Sequence, residues 1–220
     1  MRKVITSRPT VLIPYAPGTN CEEETMRAFW LAGAKPKLAF LKDLASRKIK
    51  ITDCDICCFP GGFSFGDYVG TGVIASVILE DEIPLLTQCK KPTGGICNGF
   101  QVLVRRGFFG QLITLAQNIC KTFRAIPVQH RVEVTNCIWT RGLEGRIISF
   151  PSAHGYGRLV GDLSSVSVAM TYVSESPNGG VIAAITTGDG TGFGVMDHPE
   201  RPEGNEDGLL IFKNIVEAVR

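Results

Sequence analysis

Residues 94–101 read Gly-Gly-Ile-Cys-Asn-Gly-Phe-Gln, so Cys97 has one glycine two positions before it and another two positions after it. A nucleophile on a sharp turn between a strand and a helix needs small residues at both positions, because larger side chains would collide there. The segment that follows, GFQVLVRRG, predicts a helix that ends at Gly107. We therefore predict a strand, a tight turn and a helix. Cys97 would lie at the helix N-terminus, where the helix dipole favours a thiolate.

The segments around this turn alternate between strand-like and helix-like sequences. Runs rich in β-forming residues occupy positions 10–16, 35–41 and 53–59, while helical spacing is found at positions 21–34 and 72–79. Such alternation is typical of an α/β fold, in which helices flank a mostly parallel central sheet.

The middle and the end of the chain have different patterns. Residues 125–139 alternate with a period of two, which places four side chains on one face: Val128, His130, Val132 and Val134. This alternation predicts an additional antiparallel strand segment. Residues 208–220 are amphipathic and predict a packing helix. Because we find no internal repeat or linker, we predict a single domain over residues 1–220.

Two local features predict how the elements begin. Residues 90–94 read Lys-Lys-Pro-Thr-Gly directly before the turn, which is a poor strand sequence and predicts a loosely held turn at Cys97. Thr19 or Asn20 is predicted to cap the helix that follows them.

A thiol nucleophile needs a base, and the chain has three histidines. His130 lies on the apolar face of the alternating strand, which favours a packed histidine. His154 lies in the segment AHGYGR, which is predicted to be a glycine-rich loop mobile enough for a site. His198 precedes Glu200 by two positions, and residues two apart point the same way in extended chain. Glu200 could therefore hold the imidazole in the tautomer that receives a proton from Cys97.

The predicted catalytic residues are thus Cys97, His198 and Glu200. A surface loop with a salt bridge remains the alternative for His198 and Glu200, and a packed thiol remains the alternative for Cys97. The backbone N–H groups of Asn98 and Gly62 are predicted to form an oxyanion hole, because Gly62 follows a strand in a Pro-Gly-Gly turn.

Gln101 lies one helical turn after Cys97, where its amide could recognise a polar substrate. A plain turn and a helix-surface glutamine are the alternatives for Gly62 and Gln101.

The other cysteines fit packing roles. Cys54 and Cys57 form a C-x-x-C pair, and Cys58 follows directly, but no second pair of ligands recurs downstream, so we predict no metal site. Three further cysteines, which belong to no motif, are predicted to be packing residues: Cys89, Cys120 and Cys137.

Composition narrows the class of protein. Of 220 residues, 44% are hydrophobic and 20% are charged, as in a globular protein, and the net charge of +2 argues against nucleic acid as a partner. No apolar run reaches the roughly 20 residues of a membrane span. We expect no signal peptide and a reducing, cytoplasmic location. The chain lacks G-x-x-x-x-G-K-[ST], so its sequence predicts no ATP site.

Five motifs, in chain order, resemble one family: PGTNCEEE, FPGGFSFGDY, GICNGFQ, AHGYGR and HPER. They are similar to the glutaminase subunits of phosphoribosylformylglycinamidine synthases, which are class I, triad-type glutamine amidotransferases of purine biosynthesis. The resemblance spans roughly residues 10–216. One departure is Tyr156, which stands where the family usually has an acidic residue.

The resemblance implies that Cys97 attacks the side-chain amide of glutamine, forming a thioester and releasing ammonia. His198 would act as general base and acid, Glu200 would orient it, and Gln101 would contact the glutamine. No cofactor is implied for this chain, since ATP and Mg²⁺ are expected on a separate synthetase subunit. That subunit would use the ammonia to convert formylglycinamide ribonucleotide to formylglycinamidine ribonucleotide, and a small third subunit would join the complex.

Two other functions remain open from the sequence. One is a related cysteine hydrolase that acts on another amide or on reactive aldehydes. The other is a non-catalytic or altered-activity subunit that keeps the fold for binding.

Overall fold

The computed structural model describes residues 7–66, 72–173, 175–201 and 206–220. Its strands are β1 (Thr10–Tyr15), β2 (Lys35–Phe40), β3 (Ile56–Phe59), β4 (Thr93–Ile96), β5 (Ile113–Ala116), β6 (Arg124–Val132), β7 (Ile147–His154), β8 (Arg158–Gly161), β9 (Ser167–Tyr172), β10 (Ile182–Thr186) and β11 (Gly192–Val195). Its α-helices are α1 (Glu22–Leu31), α2 (Leu41–Ala45), α3 (Val73–Ile78), α4 (Ile83–Gln88), α5 (Asn98–Arg105) and α6 (Leu209–Ala218).

The central sheet has the strand order β2-β1-β3-β4-β11-β10-β9-β6-β7. Neighbouring strands are parallel from β2 to β11, whereas every pair from β11 through β10, β9 and β6 to β7 is antiparallel. The remaining pair, β5 and β8, forms a small antiparallel sheet of its own. The predicted α/β fold, with a mostly parallel sheet and an added antiparallel segment, is confirmed.

The inner parallel strands β1, β3, β4 and β11 are buried on both faces, because helices cover each side, whereas the edge strand β2 is mostly exposed. Along β1, Val11 and Ile13 belong to the hydrophobic cluster that includes residues of α1 and α6, whereas Leu12 belongs to the cluster that includes residues of α2 to α5. Successive strand residues point to opposite faces, so each strand serves both cores. Within the described residues, no helix is long and apolar enough to cross a membrane.

The expectation of a loosely held strand before Cys97 was wrong. Strand β4 is fully buried and lies between β3 and β11, with main-chain pairing to both. Gly94 is required there, since a Cβ would lie 2.6 Å from Cη2 of Trp139. Pairing on both sides overrides the poor β-propensity of the sequence.

Two other local expectations were also wrong. Strand β6 ends at Val132, so Val134 lies beyond it and is 86% exposed. The residue that caps α1 is Cys21, with no side-chain capping bond, while Thr19 instead accepts a hydrogen bond from the Ala16 N–H through Oγ1, at 3.1 Å.

Candidate active site

Cys97 occupies the turn between β4 and α5 with φ 49° and ψ −110°, a conformation that L-residues rarely adopt. Its N–H donates to the Val195 carbonyl at 2.8 Å, which anchors the turn to β11. A Cβ on Gly95 would lie 2.8 Å from Cδ1 of Leu103, and one on Gly99 would lie 2.1 Å from the Phe59 carbonyl oxygen. Both glycines therefore permit the close approach of α5 to β3 and β4, and the predicted tight turn is confirmed.

The strain at this turn gives a stability prediction. We expect Cys97→Gly to have a higher free energy of unfolding than Cys97→Ala, by about 1 kcal/mol. Glycine relieves a backbone strain of roughly 1–3 kcal/mol, but part of this gain is offset because glycine makes the unfolded chain more flexible. Both variants lack the thiol, so the difference between them reports the backbone strain at position 97. Urea denaturation measures it, and equal stability of the two variants would show that the turn is unstrained.

His198 and Glu200 follow β11 and are both buried. Nδ1 of His198 lies 2.7 Å from Oε1 of Glu200, and the His198 N–H donates to the Pro151 carbonyl at 2.8 Å. Burial disfavours the imidazolium, but the Glu200 carboxylate and the Cys97 sulfur outweigh burial and raise the pKa of His198 well above its ordinary value.

Three side chains of this region converge on Gly61. A Cβ at Gly61 would lie 2.8 Å from Cε1 of His198, 3.2 Å from Sγ of Cys21 and 3.4 Å from Cβ of Cys97. The structure therefore brings Cys97 and the His198–Glu200 pair together across this glycine.

The two residues predicted to donate to an oxyanion lie in two different turns: Asn98 begins α5 after β4, and Gly62 follows β3. Asn98 is the first residue of α5, so its N–H has no acceptor within the helix. Gly62 has φ +136° and forms a bridge with Thr19, whose flanking hydrogen bonds are donated by Phe63 and Cys21. A Cβ at Gly62 would lie 2.7 Å from the Asn20 nitrogen, so only glycine fits.

The side chain of Asn98 has a structural role that the sequence did not reveal. Its Oδ1 accepts hydrogen bonds from Oγ of Ser64 at 2.7 Å and from the Ser64 N–H at 3.3 Å. These bonds tie the glycine-rich turn after β3 to the start of α5. The last two residues of the FPGGFSFGDY motif, Asp67 and Tyr68, lie outside the described residues.

Gln101 is buried, not on the helix surface. Its Oε1 accepts from Nδ2 of Asn98 at 3.1 Å, and its Nε2 donates to the Tyr156 carbonyl at 2.7 Å. Gln101 therefore connects α5 to the turn between β7 and β8.

His154 is not in a mobile loop, contrary to expectation. It is the last residue of β7, is buried, and its Nε2 lies 3.5 Å from Oδ1 of Asp197. His130 is packed as predicted: its ring stacks on Phe150 at 3.9 Å, and its Nε2 lies 2.8 Å from Oδ2 of Asp197. Asp197 is thus a buried carboxylate between two histidines, next to His198 in the chain.

The cysteine that sequence reasoning missed is Cys21. Its Sγ lies 4.0 Å from Nδ1 of His198, and Nη2 of Arg201 donates to it at 3.0 Å. The only signal for it in the sequence was its place in the PGTNC motif.

The remaining cysteines fall into two groups. Cys54 is buried just before β3, Cys57 and Cys58 are buried within it, and burial raises the pKa of all three thiols, which fits a packing role. Cys137 is also buried, but Cys89 and Cys120 are exposed, so the packing role predicted for these two was wrong.

Comparison with known proteins places these features in context. The family model of the CobB/CobQ-like glutamine amidotransferase domain matches residues 8–206. The phosphoribosylformylglycinamidine synthase subunit PurQ of Pyrococcus furiosus is 35% identical, over 93% of this chain and 96% of its own length. Its counterpart from Thermotoga maritima is 34% identical, over 97% of this chain and 99% of its own.

A similar structure has also been solved. A chain in the structure of PurLQS from Thermotoga maritima superimposes with a TM-score of 0.87 at 33% identity, covering 97% of this chain and 100% of that one.

Proposed function

The chain belongs to the PurQ family of glutamine amidotransferases, and on that basis we propose that it is the glutaminase subunit of a phosphoribosylformylglycinamidine synthase, in purine biosynthesis. The observation that carries this function is the strained Cys97 turn beside the buried His198–Glu200 pair. Family membership indicates the reaction, and the geometry supports the proposal that Cys97 is the nucleophile, His198 the base and Glu200 the group that orients the base.

In the proposed reaction, the Cys97 thiolate attacks the side-chain amide carbon of glutamine. Since Nδ1 of His198 is committed to Glu200, Nε2 is the nitrogen that exchanges protons with the reacting groups. His198 protonates the leaving nitrogen as the C–N bond breaks, which yields ammonia and a glutamyl thioester. The neutral His198 then takes a proton from water. That water attacks the thioester and releases glutamate and the Cys97 thiolate.

The N–H groups of Asn98 and Gly62 are proposed to stabilise the oxyanion that forms in both steps. Asn98 is supported by its place at the start of α5, and Gly62 by its position facing Thr19, with bridge bonds made by its neighbours. Gln101 is proposed to contact the substrate glutamine. Its Nε2 has a second N–H besides the one donated to Tyr156, and that N–H suits a carbonyl or carboxylate of the ligand.

The ammonia is proposed to pass to a synthetase subunit. ATP and Mg²⁺ would bind to that partner, which fits the lack of a phosphate-binding motif in this sequence. The similar chain in PurLQS supports assembly with a synthetase. We also propose that a small third subunit joins the complex. We further propose that residues 1–220 act as one amidotransferase domain in the cytoplasm.

Ammonia release from glutamine tests this function. It should be measured for the chain alone and with the synthetase subunit, ATP, Mg²⁺ and formylglycinamide ribonucleotide. We expect release to increase when the full system is present, because partner contacts complete such sites. A glutamine-mimicking electrophile should label Cys97. No release in the full system, or label on another cysteine, would refute the proposal.

A further inference from the structure

Three buried side chains next to the proposed nucleophile form a set of metal-binding atoms. Sγ of Cys21, a ring nitrogen of His198 and a carboxylate oxygen of Glu200 all lie within 4.8 Å of one another. The described residues contain no other such group of three or more cysteine, histidine, aspartate or glutamate side chains. One thiolate, one imidazole and one carboxylate are a donor set that suits Zn²⁺ or Co²⁺.

We propose that Cys21, His198 and Glu200 form an inhibitory zinc site. The binding of the metal stands on this geometry alone, whereas the inhibition rests on the proposed function of His198 and Glu200. Water would complete the tetrahedral coordination.

The distances are close to those that zinc requires. Bonds of about 2.0–2.3 Å in a tetrahedron separate ligand atoms by roughly 3.3–3.8 Å. Nδ1 of His198 lies 2.7 Å from Oε1 of Glu200 and 4.0 Å from Sγ of Cys21. Shifts of less than about 1 Å, within reach of side-chain rotation, would bring the atoms to coordination distance.

Two neighbouring features favour a cation here. Oε2 of Glu200 is buried and accepts no hydrogen bond from the described residues, so this oxygen is available to a cation. A cavity of about 60 Å³ borders Glu200 and has a second carboxylate, Glu206, in its wall, which favours a cation and offsets the charge of Arg27 in the same wall.

Arg201 has two opposing effects on the site. Nη2 of Arg201 donates to Sγ of Cys21 at 3.0 Å, which holds the sulfur in position beside His198. Its positive charge also repels a cation. The carboxylate of Glu200 and the Cys21 thiolate together offset the charge of the metal, which leaves the site with the single charge of Arg201.

Metal binding would displace protons and so block the base. Zn²⁺ would replace the proton of the Cys21 thiol and the proton that Nδ1 of His198 shares with Glu200, releasing both to solvent. An imidazole bound through Nδ1 keeps its remaining proton on Nε2. Nε2 then cannot accept a proton from Cys97 or water, and Glu200 no longer orients the ring.

The test uses the full chain with the exposed thiols removed by Cys89→Ser and Cys120→Ser. Co²⁺ is titrated in a reducing buffer, and sulfur-to-cobalt charge-transfer absorption reports a thiolate ligand. We expect one equivalent to bind and Zn²⁺ to displace it. Adding Cys21→Ser should weaken Co²⁺ binding roughly tenfold or more and abolish the band. The matched control, Cys97→Ser, removes a thiol from the same region and should keep the band.

A second readout distinguishes the two proposals. Saturating Zn²⁺ should slow labelling of Cys97 by the glutamine-mimicking electrophile roughly tenfold or more, and Cys21→Ser should remove this effect. If the band is absent, or persists in Cys21→Ser and disappears in Cys97→Ser, the zinc site is refuted. If the band behaves as expected but Cys97 is not labelled without metal, the zinc site holds and the proposed catalytic role fails.

Discussion

Replacing Cys97 with serine is expected to lower ammonia release from glutamine by roughly 10⁴-fold or more, as for removal of other activated nucleophiles. The serine hydroxyl fits the space of the thiol, but at neutral pH it is a far weaker nucleophile than a thiolate. The effect should appear in kcat, measured with the synthetase subunit and its substrates present. Circular dichroism and thermal unfolding should show an intact fold, because serine is similar in size to cysteine and leaves the packing of the turn unchanged.

The matched control is Cys89→Ser. Cys89 follows α4 and is exposed, so its replacement should leave the rate of ammonia release unchanged. If Cys97→Ser kept even a tenth of the activity of the unaltered chain, the thioester mechanism would be wrong. The alternative of a non-catalytic subunit predicts instead that neither variant changes the rate of ammonia release.

Replacing Asp197 with asparagine is expected to lower the free energy of unfolding by about 3 kcal/mol or more at neutral pH. Burial opposes ionisation of Asp197, but the hydrogen bond with His130 and the charge interactions with His130 and His154 outweigh it and hold the pKa of this carboxyl below its ordinary range. Removing one member of a buried charge group leaves its partners without compensation, which costs about 3–5 kcal/mol.

The stability lost in Asp197→Asn should depend on pH, and the direction follows from the pKa of Asp197. A carboxyl whose pKa is lower in the folded chain than in the unfolded chain stabilises the fold above its unfolded pKa, near 3.8, and loses that contribution as the pH falls through its folded value. The stability difference between the unaltered chain and Asp197→Asn should therefore be largest at neutral pH and shrink below about pH 4.

Urea denaturation at a series of pH values measures this difference. Asp81→Asn is the control, since Asp81 is exposed and its replacement should change stability by less than about 0.5 kcal/mol at every pH. A difference for Asp197→Asn that does not depend on pH would mean that the carboxylate is not held ionised by its two histidines.

Local features of the site were predictable from the sequence because each depends on a few adjacent residues. The glycines around Cys97 predicted the strained turn, since steric limits on φ and ψ act within a pentapeptide. The spacing of His198 and Glu200 predicted that they would meet, and their atoms lie 2.7 Å apart. Alternating strand-like and helix-like segments predicted the α/β sheet for the same reason.

The sequence alone could not determine which distant side chains meet at the site. Cys21 and His198 are 177 positions apart and meet only because the turns that follow β1 and β11 lie at the same edge of one sheet. His130, His154 and Asp197 come from three separate strands or turns, so the sequence misplaced His154 in a loop. Strand β4 likewise appeared weak by propensity, yet pairing with β3 and β11 holds it.

The sequence by itself therefore determined the Cys97 turn, the pairing of His198 with Glu200 and the class of fold, because short-range sterics and side-chain periodicity act along the chain. Only the tertiary structure decided the neighbours of that turn: Cys21 beside His198, and Asp197 between two buried histidines. The physical reason is that contacts between distant residues depend on strand order and register, which arise from burial of the whole sheet between its helices.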